Sequence, residues 1–302
     1  LDDSRSWGEF TLRPFENLEE YEACTRFQEE IWGRGFSEKV SAAILMIANR
    51  LGGLAAGAYD ANGVLQGFVF GLTGLADGEL VHWSDMLAVR DGARDKGLGT
   101  RMKWYQRGVM LERGIRQMRW TFDPLQSRNA YVNFAKLGIV SREYVVNMYG
   151  ITESPLHRGL DTDRLVAIWE LDSDRVESRL PGRDGAPAFR ETDWARVPKV
   201  LPVDGGGAHP SPGVPVLGLS EPRVLVGVPR VIDTIMGKDP DLANRWRGAT
   251  RAVFTDYLPR GYQVTEFFRR EAESFYLLEA PNGEGSRAGK QGVVAAKGDS
   301  TP

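Results

Sequence analysis

Between Asp85 and Gly99 the chain reads D-M-L-A-V-R-D-G-A-R-D-K-G-L-G. This stretch narrows the fold more than any other. Met86 to Val89 is apolar and strand-like, and the turn after it carries Arg94, Gly97 and Gly99 in the spacing R-x-x-G-x-G. Leu98, Met102, Tyr105 and Val109 then recur at helical spacing. A strand that passes through a glycine turn into a helix leaves the first helical amides unsatisfied, with the positive end of the helix dipole behind them. Glycine lets a ligand come close to that backbone. The turn can hold an anion; on its own it is equally an ordinary strand–turn–helix.

The surrounding chain bounds the answer. It has 302 residues, 42% of them hydrophobic, and a formal net charge of −3. That length accommodates two domains, and the charge gives no global sign of a nucleic-acid or anionic-membrane partner. Cys24 is the one cysteine, so no internal disulfide can form, which fits a cytoplasmic protein. The start (L-D-D-S-R-S) lacks the apolar core of a signal peptide, and no apolar run reaches membrane-spanning length. His82, His157 and His209 are far apart and have no metal-ligand spacing, so no metal is expected.

Periodicity and breakers order the elements. Glu9–Arg13 reads as a strand stopped by Pro14, and Asn17 caps a helix running to about Trp32. A second helix spans Ser41–Asn49. Strands follow at Leu51–Tyr59 and Val64–Leu72 around an Asp60-Ala61-Asn62-Gly63 turn, then at Glu79–Val89. After the helix of the opening motif, Gly114 stops the pattern and Ile115–Phe122 is a strand. Ser127 can cap a helix from Arg128 to Leu137, closed by Gly138; strands are expected at Ile139–Met148 and Val166–Leu171.

This predicts an α/β domain over 1–172 with a mixed sheet. The Gly205-Gly206-Gly207 run and scattered prolines make 173–222 an irregular linker. Residues 223–280 form a smaller α/β segment, with Asp239-Pro240 opening a long helix. Its order of strand, helices and two strands echoes 9–73, as a degenerate half-repeat would. Residues 281–302 are Gly/Ser/Lys-rich and read as a disordered tail.

At these residues the chain resembles the GNAT superfamily of acyl-CoA-dependent N-acyltransferases. Leu87-x-Val89 followed by Arg94-x-x-Gly97-x-Gly99 is similar to that family's pyrophosphate motif. The helix with Asn129, Ala130, Phe134, Lys136, Leu137 and Gly138 resembles that family's next segment. The resemblance implies a mixed, mostly antiparallel sheet flanked by helices, and acetyl-CoA or another acyl-CoA as co-substrate. It places the pyrophosphate on Arg94, Asp95, Lys96, Gly97, Leu98, Gly99 and Thr100, and the pantetheine arm against Leu87, Val89 and Asn129. Arg128 competes for the place given to Asn129.

The local charge agrees with a phosphate ligand. From Arg90 to Arg119 there are nine Lys/Arg and three acids. Arg94 and Lys96 sit in the turn itself, whereas Arg113, Arg116 and Arg119 read as a solvated helix and strand face.

For the chemistry, Asp85 is the first candidate base and His82 the second, although a regular strand turns His82 to the opposite face unless a β-bulge intervenes. The family's usual acid, a tyrosine, is replaced here by Phe134. Tyr131, one helical turn earlier, is the substitute, with Tyr144 and Tyr149 behind it. The implied activity is transfer of an acetyl or other short acyl group, such as succinyl, to the amine of a small molecule such as an amino acid. The C-terminal residues would enlarge or cover the pocket, or mediate a homodimer. A non-catalytic acyl-CoA sensor and a protein-lysine acetyltransferase are the alternatives, with decarboxylation of a malonyl thioester behind them.

Overall fold

The computed structural model describes residues 5–34, 36–94, 96–150, 160–183, 196–205, 209–270 and 273–281. His157, Asp95 and the expected tail from 282 onward lie outside them. The first half runs β1 (Arg5–Trp7), β2 (Phe10–Pro14), α1 (Leu18–Trp32), α2 (Ala42–Arg50), β3 (Leu54–Tyr59), β4 (Leu65–Ala76) and β5 (Glu79–Val89). It continues with α3 (Leu98–Glu112), β6 (Gln117–Phe122), α4 (Ser127–Tyr131), β7 (Tyr144–Val145) and β8 (Arg164–Glu170). These strands form one eight-stranded sheet in the order β1-β2-β3-β4-β5-β6-β8-β7. Every pairing in it is antiparallel except β5 with β6.

Local chemistry sets the helix starts. Asn17 accepts the amide of Glu20, and Ser41 accepts that of Ile44. Expected Ser127 is not a cap: its hydroxyl donates to the Pro229 carbonyl at 2.6 Å instead. The helix it begins widens into a π-helical turn over Val132–Leu137 before Gly138 ends it in the left-handed region. Helices α1 and α2 cover one face of the sheet, where Phe27, Leu45, Phe68 and Phe70 are buried together. Helix α3 covers the other, with Met102, Tyr105 and Val109 buried against Val69 and Met118.

The strand expected over Ile139–Met148 is mostly absent. Only Tyr144–Val145 pairs as a strand, with β8. The segment before it divides its backbone bonds between two sheets: Val140 bridges Ile168, and Ser141 bridges Val264. A chain that serves two sheets cannot run as a regular strand of either.

The rest comprises α5 (Asp174–Glu177), β9 (Lys199–Leu201), β10 (Val203–Asp204), β11 (Ser211–Pro212), β12 (Arg223–Val228), α6 (Ile232–Lys238), α7 (Pro240–Tyr257), β13 (Gln263–Arg269) and β14 (Ser274–Glu279). Strands β9 and β10–β11 fall within the stretch expected to be irregular, and Val200 and Leu201 are fully buried. The second sheet has the order β13-β14-β12-β9. Here the last strand lies between the other two, whereas β3 lies between β2 and β4 in the first half. The two segments share the antiparallel pairing of their second and third strands, β3–β4 and β13–β14, and differ in where the first strand docks, β2 on β3 but β12 on β14.

The two sheets share a core. Phe134 of the π-helical turn packs against Phe122 on one side and Tyr276 of β14 on the other. Polar ties cross the same boundary: Tyr276 Oη donates to the Pro124 carbonyl at 2.7 Å, and Glu266 accepts from Arg175 and Arg179 at 3.0 and 2.9 Å.

Candidate functional site

The parallel pair β5–β6 is short. Val81, His82 and Trp83 face Gln117, Met118 and Arg119, and then the strands part. Beyond that point Ser84–Val89 and Trp120–Phe122 line the two walls of a cleft enclosing about 660 Å³, within the range of small-molecule sites. Gly97, Leu98, Gly99, Thr100 and Lys103 of the turn and α3 line it too, as do Arg128, Asn129, Val132 and Asn133.

The turn supplies the anion-holding end. Gly97 has φ +76°, a left-handed conformation in which a side chain is strained, and no side chain caps α3 behind it. The amides of the first helical turn are thus available to a ligand. Gly99 needs no special φ, and a Cβ there would meet Leu87 Cδ2 at an ordinary 3.5 Å. Arg94 lines the cleft, donates to the Val89 carbonyl at 3.1 Å and pairs with Asp91. Lys96 turns elsewhere: its Nζ pairs with Glu9 at 2.6 Å, and it is not on the cleft. Arg128 and Asn129 are both exposed and both line the cleft, so the one-residue ambiguity of the sequence falls on two adjacent site residues.

A β-bulge sits at Asp85. Phe70 pairs with Met86 and Gly71 with Ser84, leaving Asp85 as the extra residue on β5. The bulge switches the strand's faces. Ser84 and Leu87 look toward α3, whereas Met86 and Ala88 pack with α1 and α2. Asp85 itself is exposed at the cleft wall. Crowding by the walls raises its carboxyl above the ordinary carboxylate range, and Glu38 adds to the rise. Solvent access limits how large that effect becomes.

His82 is not a cleft residue. It is fully buried beneath β5, bonded to Thr73 Oγ1 at 3.0 Å and Gln106 Nε2 at 2.9 Å. Gly71 makes room for it, since a Cβ there would sit 2.3 Å from His82 Nε2. Burial pushes its pKa down to about 3, so it stays neutral and unavailable as a solvent-facing base. The bulge foreseen as its route to the site lies three residues further on and turns out Asp85 instead.

Tyr131 is not on the cleft either. Its ring centre lies 5.9 Å from the Arg269 guanidinium of β13, in the second sheet, and 5.6 Å from Lys136 Nζ of the π-helical turn that follows it. Tyr144 donates to Asp163 at 2.6 Å and is held in its neutral form by burial. Tyr149 comes nearest, bonded at 2.9 Å to Thr121 of the cleft wall. Asp123 is tied to buried Arg247 at 2.6 Å. Among the described residues, none after Leu137 lines the cleft.

Lys103 lines the cleft without being among the candidates that the sequence singles out. Its Nζ donates to Ser84 Oγ at 2.7 Å and lies 3.9 Å from the centre of the Trp120 ring. Ser84 donates onward to Gln106 Oε1 at 2.9 Å, and Gln106 meets His82. Burial pushes Lys103 down to about 7. A signal was present: Gly99, Lys103 and Gln106 are spaced four and three apart, a stripe on the helix that starts at the anion turn.

Among the described residues no cluster of His, Cys, Asp and Glu could hold a metal, and no helix is long and apolar enough to cross a membrane. Cys24 is buried with its thiol pushed up to about 12, which leaves it unreactive.

No protein-family model and no curated protein matches the chain. Solved structures similar to it include the NatC complex bound to Gag peptide and CoA, 14% identical, covering 54% of this chain and 99% of that one at a TM-score of 0.43. The ribosomal-protein-S5-alanine acetyltransferase of Vibrio fischeri is 14% identical, over 56% of this chain and 97% of that one, with a TM-score of 0.44. An acetyltransferase of the GNAT family from Streptococcus pneumoniae is 14% identical, over 53% and 98%, with a TM-score of 0.43. The strand order and the cleft stand independently of these likenesses. An eight-stranded sheet with one parallel pair that parts beside a bulge, and an uncapped helix within the R-x-x-G-x-G turn, is the arrangement that the sequence resemblance to the GNAT superfamily implies.

Proposed function

We propose that the protein is an N-acyltransferase that moves a short acyl group from acyl-CoA to the amine of a small molecule. The cleft between the parted strands carries this reading. Its length runs from the uncapped amides of α3 to the bulge at Asp85, as a pyrophosphate joined to a thin thioester arm requires. The amides of Leu98, Gly99 and Thr100 hold the pyrophosphate, with Arg94 beside it. Leu87 and Val89 flank the arm, and Arg128 and Asn129 approach it from α4.

The thioester then lies at Asp85. An amine reaches that end protonated, and Asp85 and Glu38 attract it there. Asp85 takes a proton from the ammonium, directly or through water, and the freed nitrogen attacks the thioester carbonyl. Carboxylates at the acceptor end favour a cationic amine, an amino acid among them. The test is a matrix of acyl-CoAs and amines, read as free thiol release. Release with one pair or a narrow set supports the reading. Release only with a lysine peptide would move the acceptor to a protein.

One observation favours a second reading, a sensor that binds acyl-CoA without turnover: Phe134 is buried, and among the described residues no tyrosine lines the cleft. Tight coenzyme binding with no release from any pair would select it.

A further inference from the structure

We propose that Lys103 gives the leaving thiolate its proton. This rests on the acyl-transfer reading above and deepens it. When the tetrahedral intermediate collapses, the C–S bond breaks and a thiolate is left in the cleft. A proton or a counter-charge must meet it there. The titratable side chains lining the described cleft are Asp85, Arg94, Lys103 and Arg128. Arg94 stands at the anion turn, beside Val89, and Arg128 at the start of α4. Asp85 is engaged with the amine. Lys103 stands at the floor where β5 and β6 part, bonded to Ser84, the residue next to the bulge.

Its placement fits the task. Lys103 Nζ has three protons; Ser84 Oγ accepts one, and the Trp120 ring faces the ammonium from the opposite wall. Lys103 itself lines the cleft. The side chain is held from both sides, so it does not need to be ordered when substrate arrives. The chain Ser84–Gln106–His82–Thr73 behind it fixes Ser84 with hydrogen bonds between 2.9 and 3.0 Å. The other titratable groups around Lys103 are His82 and Asp85 on β5, Arg128 on α4, and Arg107 and Arg113 along α3; β6 offers the indole of Trp120. A buried amine near neutrality holds its proton at the start and releases it readily, as an acid for a thiolate must.

The step balances. The ammonium loses one proton to Asp85, directly or through water, and Asp85 passes it to solvent; once the nitrogen has formed the C–N bond it loses a second proton by the same route, so that one net proton is released. The C–S bond pair stays on sulfur, which takes a proton from Lys103 Nζ. Lys103 regains a proton from solvent as the free thiol leaves.

The test uses the intact protein and unacylated CoA. The thiol of bound CoA is titrated by the ultraviolet absorbance of its thiolate, in the wild type, Lys103→Met and Lys103→Arg. In the wild type it should ionise at lower pH than free CoA. In Lys103→Met, CoA should still bind and the thiol should return to the free value or above it. Lys103→Arg, which keeps its proton, should retain the lowered thiol titration but lose turnover with the acceptor found in the matrix by about 10²- to 10⁴-fold, as Lys103→Met does. A bound thiol that titrates like free CoA in the wild type, or identically in Lys103→Met, overturns the proposal while leaving acyl-CoA binding in place. Full turnover in Lys103→Arg also overturns it. A wild type that binds no CoA overturns the acyl-transfer reading itself. If Lys103→Met fails to fold, the wild-type titration and Lys103→Arg still decide.

Discussion

Asp85 and Lys103 sit at the same end of the cleft and have opposite electrostatic demands. Asp85 must be ionised to accept a proton, so turnover should fall as pH drops through its raised carboxyl pKa. Asp85→Asn keeps the shape of the bulge and removes the base. It should lower kcat by about 10²- to 10⁴-fold with little change in CoA affinity, measured by thiol release and calorimetry; a loss below tenfold would remove Asp85 from that role. Lys103 carries a stability cost. Its pKa is lowered to about 7 in the fold, against an ordinary value of 10.5. The unfolded chain therefore binds the extra proton between those values. The cost is full below about pH 7 and is relieved as pH rises toward 10.5. Lys103→Met should accordingly stabilise the protein at pH 6 by at least about 1.4 kcal/mol and by much less at pH 10, measured by denaturant melts at both. Equal effects at the two pH values would show that the lysine is not strained by its burial.

At the scale of elements, the strand–turn–helix was readable because its signals are local. Glycine spacing, the helical stripe of Leu98, Met102, Tyr105 and Val109, and the caps Asn17 and Asp239 need no distant contact to be seen. The bulge at Asp85 was only a conditional expectation, because it depends on register against β4. Tyr131 was misplaced because the second sheet, which claims that side of α4, is far away in sequence. Ile139–Met148 read as a strand because it is apolar and extended, and that pattern does not say which sheet will bond it. Lys103 was counted as one charge among nine: its spacing with Gly99 and Gln106 puts it on the helix face behind the turn, but its burial depends on Trp120 and Ser84, which are far from it in sequence. The turn itself yields a direct test. Gly97→Val forces a β-branched side chain into φ +76°, where it has room but not the conformation. Acyl-CoA binding should be lost in calorimetry while the far-ultraviolet spectrum is kept; unchanged affinity would take the pyrophosphate away from this turn.

Across the whole molecule, the boundary expected at residue 172 does not separate two cores. Phe134 and Tyr276 pack ring to ring, Arg247 of α7 reaches Asp123, and Ser127 bonds Pro229. A fragment ending at residue 172 should expose Phe134 and leave Asp123 without its arginine. It should bind hydrophobic dye and melt without a cooperative transition, whereas the full chain melts as one unit; a soluble fragment with a sharp melt would show the first sheet to be self-sufficient. The Ser141–Val264 bridge has a consequence for how the chain is made. The hairpin β4–β5 closes from residues adjacent in sequence and can form early. The opposite wall is braced by β8, and the segment feeding β8 is bonded to β13, which is synthesised long afterwards. On the ribosome the anion turn and one wall therefore emerge first, and the cleft waits for the second sheet. On the proposed reading, coenzyme binding is delayed until β13 has been made.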